Sequence, residues 1–159
     1  MAVQGRVLII EDDPLFAASC ADILSAAGYS AVVAHGGDEG VRLALGEEFD
    51  LIITDLRLPD ADGLELVKAL MAKGRGSAFI MITGHPTLSV AVEAMRSGVS
   101  AFLEKPFPPE ELVEAAGRAL EEARSRRGLR IDADLVREIL REPGRAENED
   151  REEKSGPQG

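Results

Sequence analysis

Cysteine is all but absent from this sequence: Cys20 stands alone among 159 residues, which excludes a disulfide within the chain. Basic side chains are scarce beside acidic ones, 18 Lys and Arg facing 29 Asp and Glu. The resulting formal charge of −11 argues against binding nucleic acid or an anionic membrane through the bulk surface, since both need net positive charge at the contact. No apolar run approaches the ~20 residues needed to span a bilayer. Met1 to Gly5 lacks the basic flank and apolar stretch of a secretory leader. Together these absences point to the cytoplasm. A Gly-rich nucleotide loop and a second amphipathic domain are also missing, so no transcriptional output module is expected in this chain. From Arg141 to Gly159 there is no Val, Ile, Leu or aromatic residue. Such a segment cannot bury enough surface to offset its ordering entropy, so residues 142–159 are expected to be a disordered polar tail.

What the chain does contain is a regular succession of short apolar runs and amphipathic stretches. The runs Arg6–Ile10, Ser30–Ala34, Leu51–Thr54, Ala78–Ile82 and Ala101–Glu104 are bounded by turn residues and read as strands. Between them lie helical patterns. One opens at Pro14, carries Phe16, Cys20, Ile23, Leu24 and Ala27 on one stripe and closes at Gly28, which makes Cys20 a small buried hydrophobe rather than a nucleophile. Others follow Gly36-Gly37-Asp38 through Val41, Leu43 and Leu45, follow Gly63 through Leu64, Leu66, Val67 and Leu70, and run from Pro86-Thr87 through Val90, Ala91, Ala94 and Met95 to Gly98. A fifth starts at Pro108-Pro109 with Leu112, Ala116, Leu120 and Ala123 on one face. Five βα repeats imply an α/β fold: a doubly wound, five-stranded parallel sheet of order 2-1-3-4-5 with helices on both faces, flavodoxin-like. The domain is expected over residues 1–125. A short C-terminal helix is expected within 126–141, over Asp132 to Arg141 with Asp132 or Asp134 as its cap, and the basic stretch Arg124 to Arg127 suits the negative end of a helix dipole.

Chemistry-bearing side chains fall where these strands end. The first run stops at Glu11-Asp12-Asp13, the third at Asp55, the fourth at Thr83-Gly84 and the fifth at Lys105-Pro106. Any one of them alone is a turn, cap or surface residue: an Asp after a strand bonds nearby backbone N–H groups, and a lone Lys snorkels. Asp13 and Asp60 are assigned to that role, and His85 is too isolated to ligate a metal. Gathered at one edge of a parallel sheet, however, Glu11, Asp12 and Asp55 would repel one another. Clustered carboxylates either raise one another's pKa or recruit a hard cation, and an all-oxygen site suits Mg²⁺.

The order and spacing of Glu11-Asp12, Asp55-Leu56-Arg57-Leu58-Pro59 with Gly63, Thr83, and Lys105-Pro106 resemble the receiver domain of two-component response regulators, from about Arg6 to about Ala123. The segments Met81 to His85 and Ala91 to Met95 look especially like receivers attached to transcriptional regulators. The resemblance implies that Asp55 is the phosphoryl acceptor and that Lys105 and Thr83 steady the phosphoryl oxygens. It places Mg²⁺ on Asp12, Asp55 and the backbone carbonyl of Arg57, with Glu11 helping through water. It further implies room beside Gly84, a cis peptide before Pro106, and a switch in which Thr83 moves inward and Phe102 follows. The implied partners are a histidine kinase or phosphotransfer protein and a downstream protein effector, with a phosphorylation-linked homodimer also in view. The chain is then not an enzyme beyond its own phosphorylation and slow dephosphorylation. The alternatives are a Mg²⁺-dependent aspartyl-phosphate phosphatase, disfavoured because Arg57 stands where a second acid/base aspartate is needed, and a phosphorelay intermediate or a fragment of a longer transcriptional regulator.

Overall fold

The computed structural model describes residues 3–126 and 137–140. Its strands are β1 (Arg6–Ile10), β2 (Ser30–Ala34), β3 (Leu51–Asp55), β4 (Ala78–Thr83) and β5 (Ala101–Glu104). They form one sheet of order β2-β1-β3-β4-β5 in which every neighbouring pair is parallel. Between the strands run α1 (Pro14–Ala26), α2 (Gly37–Gly46), α3 (Gly63–Ala72) and α4 (Leu88–Ser97); a fifth helix, α5, covers 109–126. The fold is therefore the one the βα alternation predicts.

Alternation along each strand divides the core into two layers. Val7, Ile9, Leu51, Ile53, Ile80, Ile82 and Leu103 face Cys20 and Leu24 of α1 and Leu112, Ala116 and Leu120 of α5. Leu8, Ile10, Ile52, Phe79 and Met81 face Ala44 of α2, Leu64, Val67 and Leu70 of α3 and Ala94 of α4. Each such aliphatic side chain contributes about 1.5–3 kcal/mol by leaving water, and this two-sided burial holds the strand ends in register.

Two helices each leave outside one residue that periodicity selects for burial, while Val41 and Leu43 of α2 and Val90 and Ala94 of α4 pack on the core as expected. Leu45 is 37% exposed and Met95 50% exposed. On α2 the buried residues are Gly37, Gly40 and Ala44, and a Cβ on Gly40 would stand 2.6 Å from Ile10 Cδ1. That closeness to β1 turns Leu45 outward. On α4 only Ala94 is fully buried, and Leu88, Val92 and Met95 stay exposed.

Helix starts follow local chemistry at α1, α3 and α4, where Asp13, Asp62 and Thr87 accept bonds from the first free backbone N–H groups. The chain divides after Ala123. Beyond that point residues 137–140 are helical, with Ile139 and Leu140 exposed. The rest of the expected C-terminal helix, and the expected disorder of 142–159, lie outside the described residues.

Candidate functional site

Parity along the strands decides which side chains meet at the sheet's carboxyl edge. Glu11 continues the series Val7, Ile9; Asp55 continues Leu51, Ile53; Lys105 continues Ala101, Leu103. All three belong to the face covered by α1 and α5. Lys105 Nζ lies 2.8 Å from Asp55 Oδ2 and 2.9 Å from Glu11 Oε2, bridging two carboxylates delivered by different strands. Glu11 is 1% and Asp55 7% exposed, so both are held away from bulk water, whereas Asp12 is exposed. Backbone N–H groups complete the arrangement: Asp13 donates to Glu11 Oε1 at 3.2 Å and Arg57 to Asp55 Oδ1 at 3.1 Å. The Lys105–Pro106 peptide is cis, as the resemblance implies.

The charges do not balance. Three carboxylates, those of Glu11, Asp12 and Asp55, offer oxygens that all lie within 4.8 Å of one another, against one ammonium. Burial is the main influence on Glu11; Asp55 raises its pKa further while Lys105 opposes, and the carboxyl ends at about 7 instead of 4.5. Burial alone would pull Lys105 down, but its bonds to Asp55 and Glu11 outweigh that and hold it above its ordinary value, firmly cationic. With three carboxylates gathered around one ammonium, the site has negative charge to spare. Its donors are all oxygens, so the residues present fit a hard divalent ion such as Mg²⁺.

Thr83 and Phe102 lie on the opposite parity. Thr83 follows Phe79 and Met81 on β4, and Phe102, half-buried against the α2–α4 layer, is the ladder partner of Met81. The two are thus diagonal neighbours on one face, two residues apart along the strand. Thr83 is 1% exposed, and its Oγ1 accepts the His85 N–H at 3.1 Å. Gly84 has open space where a Cβ would stand.

Two contributors escape a reading by strand ends. Phe16, one turn into α1, lies under the Lys105 ammonium, its ring centroid 4.4 Å from Nζ, and packs edge-on against Phe107 at 5.7 Å. Sequence marks it only as part of the buried stripe of α1. The second is Asp60, whose carboxylate accepts the Gly37 N–H at 2.8 Å and the Asp38 N–H at 2.9 Å. It is a cap residue as expected, but it caps α2, 23 residues away.

The family model for the response regulator receiver domain matches residues 7–117. The transcriptional regulatory protein FixJ of Azorhizobium caulinodans is 40% identical over 139 residues, covering 79% of this chain and 64% of that protein. The transcriptional regulatory protein GlrR of Escherichia coli (strain K12) is 36% identical over 119 residues, covering 75% of this chain and 27% of the relative. This chain thus spans only about a quarter to under two thirds of the length of these relatives. Among solved structures, the CheY-like response regulator receiver domain protein from Methanospirillum hungatei JF-1 superposes with a TM-score of 0.73 at 31% identity, covering 79% of this chain and 99% of that one.

Proposed function

The chain belongs to the response regulator receiver domain family, and on that premise we propose that it takes a phosphoryl group onto Asp55 from a phosphohistidine on a kinase or phosphotransfer protein and passes the signal to a protein partner. The observation that carries this reading is the Lys105 ammonium seated between Asp55 and Glu11 at the end of β3.

In the proposed reaction an Asp55 carboxylate oxygen attacks phosphorus. The new P–O bond makes an acyl phosphate as the P–N bond breaks and its electron pair leaves on the imidazole nitrogen. Lys105 then pairs with a phosphoryl oxygen while keeping its ion pair to Glu11, so the cation need not leave the site. Thr83 Oγ1 already accepts the His85 N–H, which leaves its own hydrogen to donate to a second phosphoryl oxygen. Glu11, Asp12, Asp55 and the Arg57 carbonyl would hold Mg²⁺, which when bound offsets charge on both reacting groups.

Readout would run through the Thr83–Phe102 face toward α4. The effector is proposed to be a protein, since net charge −11 disfavours direct contact with nucleic acid. A cytoplasmic setting fits that role, and no helix among the described residues is long and apolar enough to cross a membrane. Apart from gaining and slowly losing its own phosphoryl group, the domain would turn nothing over. Intact-mass measurement after incubation with acetyl phosphate and Mg²⁺ tests this: one phosphoryl group is expected on the unaltered protein and none on Asp55→Asn. Equal labelling of the variant, or turnover of an added phosphomonoester, would overturn the proposal.

A further inference from the structure

The segment from Leu56 to Gly63 leaves the sheet as a small closed hairpin. Leu56 N–H bonds Ile82 O at 2.8 Å and Gly63 N–H returns to Leu56 O at 2.7 Å. Arg57 and Asp62 form an antiparallel bridge, and Leu58 N–H reaches Ala61 O at 3.1 Å. At the base of this hairpin stand Asp55 and Arg57; at its tip stands Asp60. The tip is fastened by both carboxylate oxygens to the first two N–H groups of α2. These two amides hold the Asp60 carboxyl below its ordinary range, although the side chain is otherwise open to water.

Helix α2 is built to receive this clamp. Its own cap position is Gly36, which has no side chain to offer. A Cβ on Gly37 would stand 2.6 Å from Ala61 Cβ and 3.2 Å from Asp60 Oδ1, so only glycine lets the hairpin tip come this close. The side that lacks an acceptor and the side that supplies one are thus matched across 23 residues.

We propose that Asp60 is a positioning residue for the metal-binding turn: by pinning the hairpin tip to α2, it holds the Arg57 carbonyl and Asp55 carboxylate in the arrangement that takes Mg²⁺. This rests on the metal reading given under the proposed function. Asp60 touches neither metal nor phosphoryl group and acts through the hairpin. Because linkage is reciprocal, whatever Asp60 contributes to Mg²⁺ affinity, Mg²⁺ returns to the α2 start.

A mere helix cap and a positioning clamp are separable, because α2 can be capped from within. Gly36 has φ −170° and ψ 174°, extended backbone that serine adopts, and Glu39 already accepts the His35 N–H at the same helix start. Gly36→Ser in an Asp60→Ala background therefore restores a local cap without restoring the clamp. Mg²⁺ affinity is read from amide shifts of Asp12 and Arg57 on folded protein, well below the melting temperature. Asp60→Ala is expected to weaken Mg²⁺ binding about tenfold, the low end for loss of a group that orients a metal ligand. The double variant is expected to stay as weak, whatever its melting temperature. It carries the same comparison should Asp60→Ala alone not fold. Affinity within about twofold of the unaltered protein in either variant would overturn the proposal. Failure of the unaltered protein to bind Mg²⁺ at all would instead remove the metal reading, and this inference with it.

Discussion

A Cβ placed on Gly63 would stand 2.1 Å from the carbonyl oxygen of Asp55 and 2.9 Å from Leu56 Cα. Both obstacles are backbone, so no rotamer change relieves the contact. The close approach exists because Gly63 N–H bonds Leu56 O at 2.7 Å, closing the hairpin as Asp62 starts α3. Gly63→Ala is therefore expected to force this turn open and to destabilise the protein by about 3 kcal/mol, the upper part of the range for overpacking. Urea unfolding of the variant checks this, and acetyl-phosphate labelling of the surviving folded fraction should be slowed. A variant as stable as the parent would mean the turn yields freely.

Glu11 links the site to pH. Its carboxyl ionises near 4.5 in an unfolded chain and at about 7 in the metal-free fold, chiefly because it is buried. Between those values the folded state keeps a proton that the unfolded state has released. The proton therefore favours folding most below about 4.5, and this contribution is lost as pH rises through about 7. The whole effect is on the order of 3 kcal/mol. Glu11→Gln mimics the protonated side chain, so without Mg²⁺ it should gain stability relative to the parent on going from about pH 5 to about pH 8. Paired denaturation curves measure that difference; no change in the gap would show that Glu11 titrates normally.

The Cys20 thiol is 1% exposed, and burial pushes its pKa to about 11, with the Glu11 charge adding to the effect. Thiolate is the nucleophile, so a thiol both covered and protonated should not react. Ellman's reagent near pH 8 is expected to leave the folded protein untouched for hours and to label one thiol at once in denaturing urea. Rapid labelling under native conditions would show that α1 opens easily.

Thr83 and Phe102, neighbours on the face opposite to Asp55, are expected to carry the response. A dianion on Asp55 that recruits the Thr83 hydroxyl would vacate space on the Phe102 side. The ring has no hydroxyl to satisfy outside, so burial favours its inward state. Phosphorylation shifts such an equilibrium only by its differential interaction with the two states. Thr83→Ala should still accept a phosphoryl group yet give a weakened change at a distance. Amide shifts of residues 84–115 with and without a beryllofluoride mimic separate this from a Phe102 that is simply core. Distant shifts that survive in Thr83→Ala would break the link.

Much of this molecule is legible in its sequence because the deciding forces are local. Apolar runs ending in turn residues mark all five strands, and Pro14, Gly63 and Thr87 sit where helices begin. The five βα repeats make a doubly wound parallel sheet the natural candidate, and the observed strand order is the expected 2-1-3-4-5. The gathering of Glu11, Asp12, Asp55 and Lys105 follows too, since strand ends in a parallel sheet converge on one edge. The helix faces of α2 and α4 are less legible: Leu45 and Met95 have the right spacing for burial, but Gly40 against Ile10 and the narrow contact at Ala94 decide otherwise. Periodicity counts apolar residues and cannot say how closely a neighbour will come. Pairings between distant residues are decided by the tertiary structure alone. Lys105 meets Glu11 across 94 positions, Phe16 lies beneath the ammonium, and Asp60 closes a helix that began 23 residues earlier. A carboxylate's nearest donor depends on where the folded chain brings free N–H groups, and in the sequence around Asp60 nothing distinguishes its own turn from the start of α2.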